Sequence, residues 1–356
     1  MDILFTLSLK NGLWSNGLQQ NIIFLARLVR DLGHNPILAL CHPRSEAKDM
    51  PDDITFIESA EIDDLANVDY ILQTGWVLGN SEVNGLKLKN PRCKNIHVHY
   101  GNRLLADIEQ SQWDTLCVGN HSVDEVWVSP HYSISIPYFK TYYSTQKVFI
   151  LPYIWSPTYI QKHEDIWNAN GKSCYYNPSR EKNIGILEPN LNMTKNCLPS
   201  IMIVEELLSQ DPSLINHVKV YCALGLAEKR YFRSLVWGLQ LPAQNKISFA
   251  ARQTVTKTFS HDCSVIVSHQ LMNALNYTYF EALYFNIPLV HNSDHIRDAG
   301  YYYPDYDSQK GADALRAALC YHDENLEPYK KSAQKVIWRY SPENPIVIEG
   351  YKKLFS

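Results

Sequence analysis

Glu281 is the only charged residue in an otherwise apolar helical segment, residues 276–285. The apolar side chains of this segment recur at helical spacing, which predicts one wide apolar face. A carboxylate is costly to desolvate there unless it accepts hydrogen bonds, and ligand hydroxyl groups are suitable donors. A pairing with a nearby arginine or lysine that only fixes the helix is the structural alternative. The sequence therefore predicts either a ligand contact or a buried ion pair at Glu281.

Polar residues gather where the preceding strand is predicted to end. Residues 265–267 are β-branched and indicate a buried strand, and Pro288 stops the helix before a second short strand at residues 289–290. In an open parallel sheet the ligand crevice lies outside the carboxyl ends of the strands. Ser268–Gln270 and the helix start at residues 273–277 are therefore expected where a ligand would lie. The expected ligand contacts among them are His269, Gln270, Asn273, Asn276 and Tyr277.

Lys195 is the second candidate for binding chemistry. It follows a predicted strand at residues 184–187 and precedes a predicted helix that starts near Leu198. A lysine at a helix amino terminus suits a diphosphate, because free backbone N–H groups and the ammonium both favour anions. Asn190, in the same loop, is a further candidate contact. A solvated loop lysine is the alternative.

The amino terminus predicts a βαβ unit, from the strand at residues 3–9 through a helix to the strand at residues 36–40. The loop between the first strand and the helix contains the sequence GLWSNG. This departs from G-x-G-x-x-G and is a weak dinucleotide signal. A glycine-rich turn in which Ser15 or Asn16 caps the helix accounts for it equally well.

Two histidines, His97 and His99, alternate onto one face of a predicted strand at residues 96–100. They could bind a metal, but the surrounding sequence suggests no third ligand, so we expect no metal site. His99, or the nearby Asp107, could serve as a general base if a reaction must remove a proton from a substrate hydroxyl, because histidine titrates near neutral pH.

Composition predicts a two-domain globular protein. The chain has 356 residues, of which 45% are hydrophobic and 20% charged. Its net charge of −4 argues against a protein that coats nucleic acid. The cysteines lack paired zinc-type spacing, and we expect reduced thiols. No leader precedes the first strand and no run approaches the roughly 20 apolar residues of a membrane span, which favours the cytoplasm of a bacterium or an infected host cell.

Several segments together resemble one family of uncharacterised bacterial and phage proteins, catalogued as a domain of unknown function and grouped with GT-B glycosyltransferases. They are spread over nearly the whole chain: residues 12–17, 151–157, 187–190, 268–270, 276–277, 288–293 and 300–304. The resemblance implies an α/β fold with two Rossmann-like domains facing a central cleft. Residues 1–165 would form the acceptor domain and residues 180–340 the nucleotide-sugar donor domain, with a polar linker at residues 162–180. A helix within residues 341–356 would pack back on the first domain.

The resemblance also implies roles for individual residues. In many retaining GT-B enzymes two glutamates are separated by seven residues, the earlier reaching the sugar and the later the ribose; Glu281 matches the later one, and the earlier position is Asn273. Asparagine can hydrogen-bond a sugar hydroxyl but carries no charge, which leaves the stereochemical class open. Lys195 matches the basic residue that contacts the donor diphosphate. The implied acceptor contacts are Trp14, Ser15, Asn16, Gly17 and Arg103.

The expected activity is transfer of a sugar from a nucleotide-sugar donor to a hydroxyl group of a saccharide acceptor. We expect the reaction to need no metal or other cofactor, and the protein to be a monomer or a homodimer. One alternative is glycosylation of hydroxymethylated bases in phage DNA, which requires base flipping and a basic surface. The residues that could form that surface are Lys87, Lys89, Arg92, Lys94 and Arg103. A second alternative is a protein that binds a sugar nucleotide or glycan without turning it over.

Overall fold

The computed structural model describes residues 1–13, 17–113 and 122–356, which form two compact units. The first unit comprises Met1–Ser156 and Tyr340–Ser356, and the second comprises Pro157–Arg339. Within the described ranges, every helix is too short or too polar to cross a lipid bilayer.

A parallel sheet forms the centre of the first unit. Its strands are β1 (Asp2–Leu7), β2 (Asn35–Leu40), β3 (Thr55–Glu58), β4 (Tyr70–Gln73), β5 (Lys94–His99), β6 (Glu125–Val128) and β7 (Val148–Ile150). They pair in the order β3-β2-β1-β4-β5-β6-β7. The α-helices that connect them are α1 (Gly17–Asp31), α2 (Asn80–Lys89), α3 (Arg103–Trp113) and α4 (Ile136–Tyr142). Because the central strands are buried on both faces, they are apolar almost throughout.

The second unit repeats this plan. It opens with α5 (Thr158–Ala169) and contains the strands β8 (Ile184–Ile186), β9 (Val218–Val220), β10 (Ile247–Phe249), β11 (Val265–Val267), β12 (Leu289–His291) and β13 (Tyr301–Tyr302). These strands are parallel and pair in the order β10-β9-β8-β11-β12-β13. The further helices are α6 (Cys197–Gln210), α7 (Leu224–Ala227), α8 (Arg230–Val236), α9 (Gln240–Ala243), α10 (Val255–Lys257), α11 (Tyr277–Tyr284), α12 (Ser308–Tyr321) and α13 (Leu326–Arg339).

In each sheet the strand order reverses at one place, between β1 and β4 in the first unit and between β8 and β11 in the second. Ile184 of β8 pairs with Val265 of β11 and with Val218 of β9. The loops that leave the carboxyl ends of β8 and β11 therefore lie side by side. In open α/β sheets such a reversal is where ligands bind.

Local sequence explains where the two helices at this reversal begin and end. The Asn196 side chain accepts the Leu198 N–H at the start of α6, and the Asn276 side chain accepts the Thr278 N–H at the start of α11. Helix α11 ends where Asn286 adopts a left-handed φ of 57°, two residues before Pro288.

The C-terminal segment belongs to the first unit. Its helix, α14 (Pro345–Leu354), is capped by the Asn344 side chain, and the Tyr351 hydroxyl donates to the Pro152 carbonyl at 2.6 Å. The Phe355 ring packs edge-on against Trp127, 5.2 Å between ring centroids. Burial of these aromatic rings attaches the end of the chain to the first sheet.

Three sequence expectations differ from the structure or fall outside it. The predicted linker, residues 162–180, overlaps α5, whose Tyr159 and Ile160 are buried, and the unit boundary lies at residue 156. The sequence of residues 300–304, GYYYP, predicts an aromatic turn, but this segment contains β13, which pairs with β12. Residues 115–118 predict a further strand from their sequence, and they lie outside the described residues.

Gly300 offers a test of the packing before β13. Its φ is 72°, and a Cβ added there would lie 2.8 Å from the His291 Nε2 and 2.9 Å from the Leu289 carbonyl oxygen. We expect Gly300→Ala to lower the free energy of unfolding by about 2–4 kcal/mol, from backbone strain and overpacking together. Gly238→Ala is the control, because no atom lies within 4 Å of its added Cβ. Urea denaturation measures both, and equal effects would contradict the packing argument.

Candidate functional site

The loops after β8 and β11 form the candidate site, at the reversal of the second sheet. The Leu271 N–H in the β11 loop donates to the Thr194 carbonyl in the β8 loop at 3.0 Å. The side chains of both loops are thereby held at one edge of the sheet, where Lys195 and the start of α11 also lie.

Lys195 is a half-buried lysine without an ion-pair partner in the described part of the chain. Burial lowers the pKa of its ammonium group, and the nearby negative charge of Glu188 opposes that shift. The two side chains do not approach within the 4.0 Å of a salt bridge. Lys195 is therefore a desolvated cation that an incoming anion would stabilise.

The amino terminus of α6 differs from the expectation of free N–H groups. The Asn190 Oδ1 accepts the Cys197 N–H at 2.8 Å, and the Asn196 Oδ1 accepts the Leu198 N–H at 2.9 Å. Pro199 has no N–H to offer. The first turn of α6 is thus satisfied internally, and Lys195 supplies the positive charge of this loop.

Asn190 holds the β8 loop together. Its φ is 55°, and its Nδ2 donates to the Glu188 carbonyl at 2.9 Å, with the Tyr221 and Cys222 carbonyls slightly farther away. Both ends of the amide are engaged within the loop. The predicted ligand contact of the Asn190 side chain therefore competes with this structural role, which the sequence did not reveal.

Glu281 is a half-buried carboxylate on α11. Burial raises its pKa to about 7, and the nearby positive charge of Arg252 opposes that shift. Among the residues that the structure describes, no side chain forms a salt bridge or hydrogen bond with this carboxylate. The structural ion pair considered from the sequence is therefore not found there, and the ligand contact stays a prediction.

Glu188, in the loop after β8, is a buried acid, 2% exposed. The Ser268 hydroxyl donates to its Oε1, and the Tyr279 hydroxyl lies 3.1 Å from the same serine oxygen. Burial raises the pKa of Glu188 to about 7, whereas the Ser268 hydroxyl and the Lys195 charge lower it. This polar cluster joins the ends of β8 and β11.

His269 follows Ser268 and is 3% exposed. Its Nδ1 lies 2.8 Å from the Tyr303 hydroxyl, which donates to the Ser268 carbonyl at 3.1 Å. The His269 ring also packs against Tyr306, 4.5 Å between ring centroids. Burial lowers the pKa of His269 to about 4, so the imidazole is neutral at physiological pH.

The other predicted donor contacts shape the β11 loop. The Gln270 Oε1 accepts the Asn273 N–H at 2.6 Å, and its Nε2 lies 3.4 Å from the Asn292 carbonyl. Asn276 caps α11, and Tyr277 is the first residue of that helix. The structure brings all of these residues to one loop, where Gln270 and Asn276 have structural hydrogen bonds of their own.

The predicted catalytic residues of the first unit have polar partners. The His99 Nε2 lies 3.3 Å from the Tyr143 hydroxyl, and burial lowers the pKa of His99 to about 3. A base this weak is poorly matched to proton abstraction near neutral pH. Asp107 accepts from Arg103 at 2.5 Å and from the Tyr138 hydroxyl at 2.7 Å. The catalytic roles of His99 and Asp107 remain predictions without a structural feature that supports them.

The acceptor contacts implied by the sequence are only partly described. Gly17 begins α1 and Arg103 begins α3, where it pairs with Asp107. The predicted contacts Trp14, Ser15 and Asn16 lie outside the described residues. Within residues 1–13, 17–113 and 122–356, no group of three or more His, Cys, Asp or Glu side chains could hold a metal ion.

Glu188 and Tyr303 are site residues that the sequence interpretation did not assign. Glu188 is an acid directly after the predicted apolar strand at residues 184–187, so, like Glu281, it is a charge beside an apolar run. Its partner Ser268 lies 80 residues later, and the run of tyrosines at residues 301–303 predicts packing rather than chemistry. The acid could have been found from sequence, whereas its partners required the fold.

Solved structures of glycosyltransferases have the same fold. A glycosyltransferase from Rickettsia africae ESF-5 matches with a TM-score of 0.59 and 14% identity over 99% of this chain and 97% of that one. WaaG, a glycosyltransferase involved in lipopolysaccharide biosynthesis, matches with a TM-score of 0.52 and 13% identity over 99% of each chain. An α-glucosyltransferase in complex with UDP and a 13-mer DNA matches with a TM-score of 0.57 and 11% identity over 100% and 99%. The predicted GT-B fold class is confirmed.

Sequence comparison adds a family match. No curated protein matches this chain significantly. A family model described as "Protein of unknown function (DUF2827)" matches residues 3–355, which confirms the resemblance seen in the sequence.

Proposed function

Because the chain belongs to the DUF2827 family and has the GT-B fold, we propose that it transfers a sugar from a nucleotide-sugar donor to the hydroxyl of a saccharide acceptor. The proposal assigns the donor nucleotide to the β8 and β11 loops of the second unit. It requires no metal ion, and transfer should persist in the presence of a chelator.

One observation carries the proposal: two charges of opposite sign, Lys195 and Glu281, are desolvated without a hydrogen-bond or ion-pair partner in the described residues. Such groups destabilise a folded protein unless a ligand compensates them. A nucleoside diphosphate offers both complements, since its phosphates attract Lys195 and its ribose hydroxyls can donate to Glu281. Arg252, close enough to Glu281 to affect its pKa, adds positive charge to the same site.

Charge distribution favours a saccharide acceptor over DNA. Three of the five basic residues that could hold phosphates have acidic partners: Lys87 with Asp124 at 2.7 Å, Lys94 with Glu125 at 3.2 Å, and Arg103 with Asp107 at 2.5 Å. Lys89 donates to the Leu65 carbonyl at 3.0 Å. A surface neutralised in this way gives little of the phosphate attraction on which DNA binding depends.

A thermal-shift screen tests the donor assignment. UDP, GDP, ADP, CDP and TDP, each alone and as a nucleotide sugar, are added to the full-length protein. A ligand at 100 times its dissociation constant should add about 2.7 kcal/mol to the free energy of unfolding, and the matching nucleoside should add much less. No stabilisation by any compound would contradict the proposal.

Radiolabelled donor then distinguishes an enzyme from a non-catalytic binder. Release of labelled sugar to water or to a saccharide acceptor, with or without EDTA, is the expected result. Binding without turnover across a panel of saccharides would favour the non-catalytic alternative. Transfer to hydroxymethylated DNA with a steep salt dependence would overturn the preference for saccharide.

A further inference from the structure

Two buried side chains of the candidate site, Glu188 and His269, each retain an unsatisfied polar atom. Neither the Glu188 Oε2 nor the His269 Nε2 has a hydrogen-bond partner in the described part of the chain. Their side chains are 2% and 3% exposed. Buried polar atoms in native proteins are nearly always paired, so two unsatisfied atoms in adjoining loops indicate a partner from outside the chain.

Both unsatisfied atoms are hydrogen-bond acceptors. The Ser268 carbonyl can only accept, so we assign the single Tyr303 proton to that bond and the proton between Tyr303 and His269 to the His269 Nδ1. The Nε2 of this neutral imidazole therefore presents a lone pair. Oε1 of Glu188 accepts from the Ser268 hydroxyl, and in the ionised carboxylate Oε2 is a second acceptor. The backbone N–H of His269 lies near the Glu188 carboxylate and favours its charged form, but it does not satisfy Oε2.

A pair of acceptors selects the chemistry of the ligand. Phosphate oxygens are themselves acceptors at neutral pH and would be repelled. A bound metal would need further ligands, and the described residues contain no group of three. Sugar hydroxyls are donors and occur side by side on one ring. Two hydroxyl groups of one sugar could therefore donate to both atoms.

Resting on the proposed function, we infer that Glu188 and His269 accept hydrogen bonds from two hydroxyl groups of the transferred sugar and thereby select which sugar is used. Lys195 and Glu281 then hold the nucleotide part of the same donor. Ser268 and Tyr303 are positioning residues, because each bonds to one member of the pair.

Calorimetric titration of Glu188→Gln and His269→Phe separates sugar recognition from nucleotide binding. UDP and UDP-glucose are the first probes, replaced by whichever diphosphate and nucleotide sugar stabilise the protein most in the screen above. In each variant the ratio of the dissociation constant of the nucleotide sugar to that of the diphosphate should rise at least about tenfold over wild type. The affinity for the diphosphate alone should not fall in either variant.

Glu205→Gln and His322→Phe are matched controls. The Glu205 oxygens accept the Gln240 and Leu241 N–H groups at 2.6 and 3.0 Å. The His322 nitrogens lie 3.0 Å from the Tyr301 hydroxyl and 3.2 Å from the Asn286 carbonyl. The polar atoms of both side chains have their partners within the protein. These two variants should therefore leave the ratio of the nucleotide-sugar and diphosphate dissociation constants unchanged.

Ligand-side substitution keeps the inference testable if a variant does not fold. Each analogue of the nucleotide sugar has one hydroxyl replaced by fluorine. The analogues substituted at two of the ring positions should bind the wild-type protein at least about tenfold more weakly than the unmodified nucleotide sugar. An even response at all positions would overturn the inference, as would an unchanged ratio in both folded variants or an equal loss of diphosphate and nucleotide sugar. Failure of the wild-type protein to bind any diphosphate would instead contradict the proposed function itself.

Discussion

Replacing Glu281 with glutamine should stabilise the ligand-free protein at pH 8 and at the same time weaken its binding of the nucleotide. The pKa of this carboxyl is raised from 4.5 to about 7, so the folded state binds its proton more tightly than the unfolded state does. The wild-type protein therefore loses stability as the pH rises from 4.5 to 7, and the glutamine variant does not.

The expected size of the effect follows from that shift. The difference between wild type and Glu281→Gln should be near zero at pH 4 and reach about 3 kcal/mol above pH 7, or several degrees in melting temperature. Glutamine keeps one acceptor oxygen but adds an N–H₂ group towards the ribose. The affinity for the nucleoside diphosphate should therefore fall at least about tenfold, or about 1.4 kcal/mol.

Asp262→Asn provides a control of opposite sign. Asp262 accepts from Gln253 at 2.7 Å and pairs with Lys219 at 3.0 Å, and these contacts lower the pKa of its carboxyl. This variant should lose stability at pH 8, where Glu281→Gln gains it. Melting curves at pH 4 and pH 8 measure the changes in stability, and calorimetric titration measures the change in affinity. Loss of stability with normal affinity in Glu281→Gln would show a structural partner, and unchanged affinity in a stabilised variant would remove Glu281 from the site.

The sequence predicted those elements whose signals are local. Short, largely apolar runs predict strands at residues 70–73, 125–128, 247–249 and 265–267, and these are the bounds of β4, β6, β10 and β11 in the structure. The end of α11 followed from Asn286 and Pro288. Helix α5 was missed because only Tyr159 and Ile160 are buried among mostly polar residues. Strand β13 has only two residues and is defined by its pairing with β12.

The residues of the candidate site show the same distinction between local signals and contacts that depend on the fold. Lys195 and Glu281 were singled out as charges in unusual local surroundings, and both lack partners in the described residues. The roles of Asn190 and Gln270 could not be predicted, because their amide groups bond to backbone groups that only the fold brings near. The partnership of Glu188 with Ser268 joins two strands that are adjacent in the sheet but far apart in sequence. Local chemistry thus identified the charges, and long-range contacts determined how they are supported.

Replacing Lys195 with alanine should weaken the binding of a nucleoside diphosphate more than tenfold and leave the binding of the nucleoside unchanged. A charge-assisted contact to phosphate is worth roughly 1.5–3 kcal/mol, and here it cannot be replaced by the α6 N–H groups, which are already bonded within the protein. The variant should not be less stable than wild type, since Lys195 has no ion pair to lose among the described residues.

Lys182→Ala is the matched control, because Lys182 lies just before β8, whereas Lys195 lies in the loop after it. Its ammonium pairs with Asp323 at 2.8 Å and donates to the Leu319 carbonyl at 2.9 Å. Its removal should lower stability slightly, as expected for a partly exposed pair, and leave diphosphate affinity intact. Calorimetric titration of both variants with diphosphate and nucleoside decides the matter: an equal loss for the two ligands in Lys195→Ala, or no loss, would show that Lys195 does not contact the diphosphate.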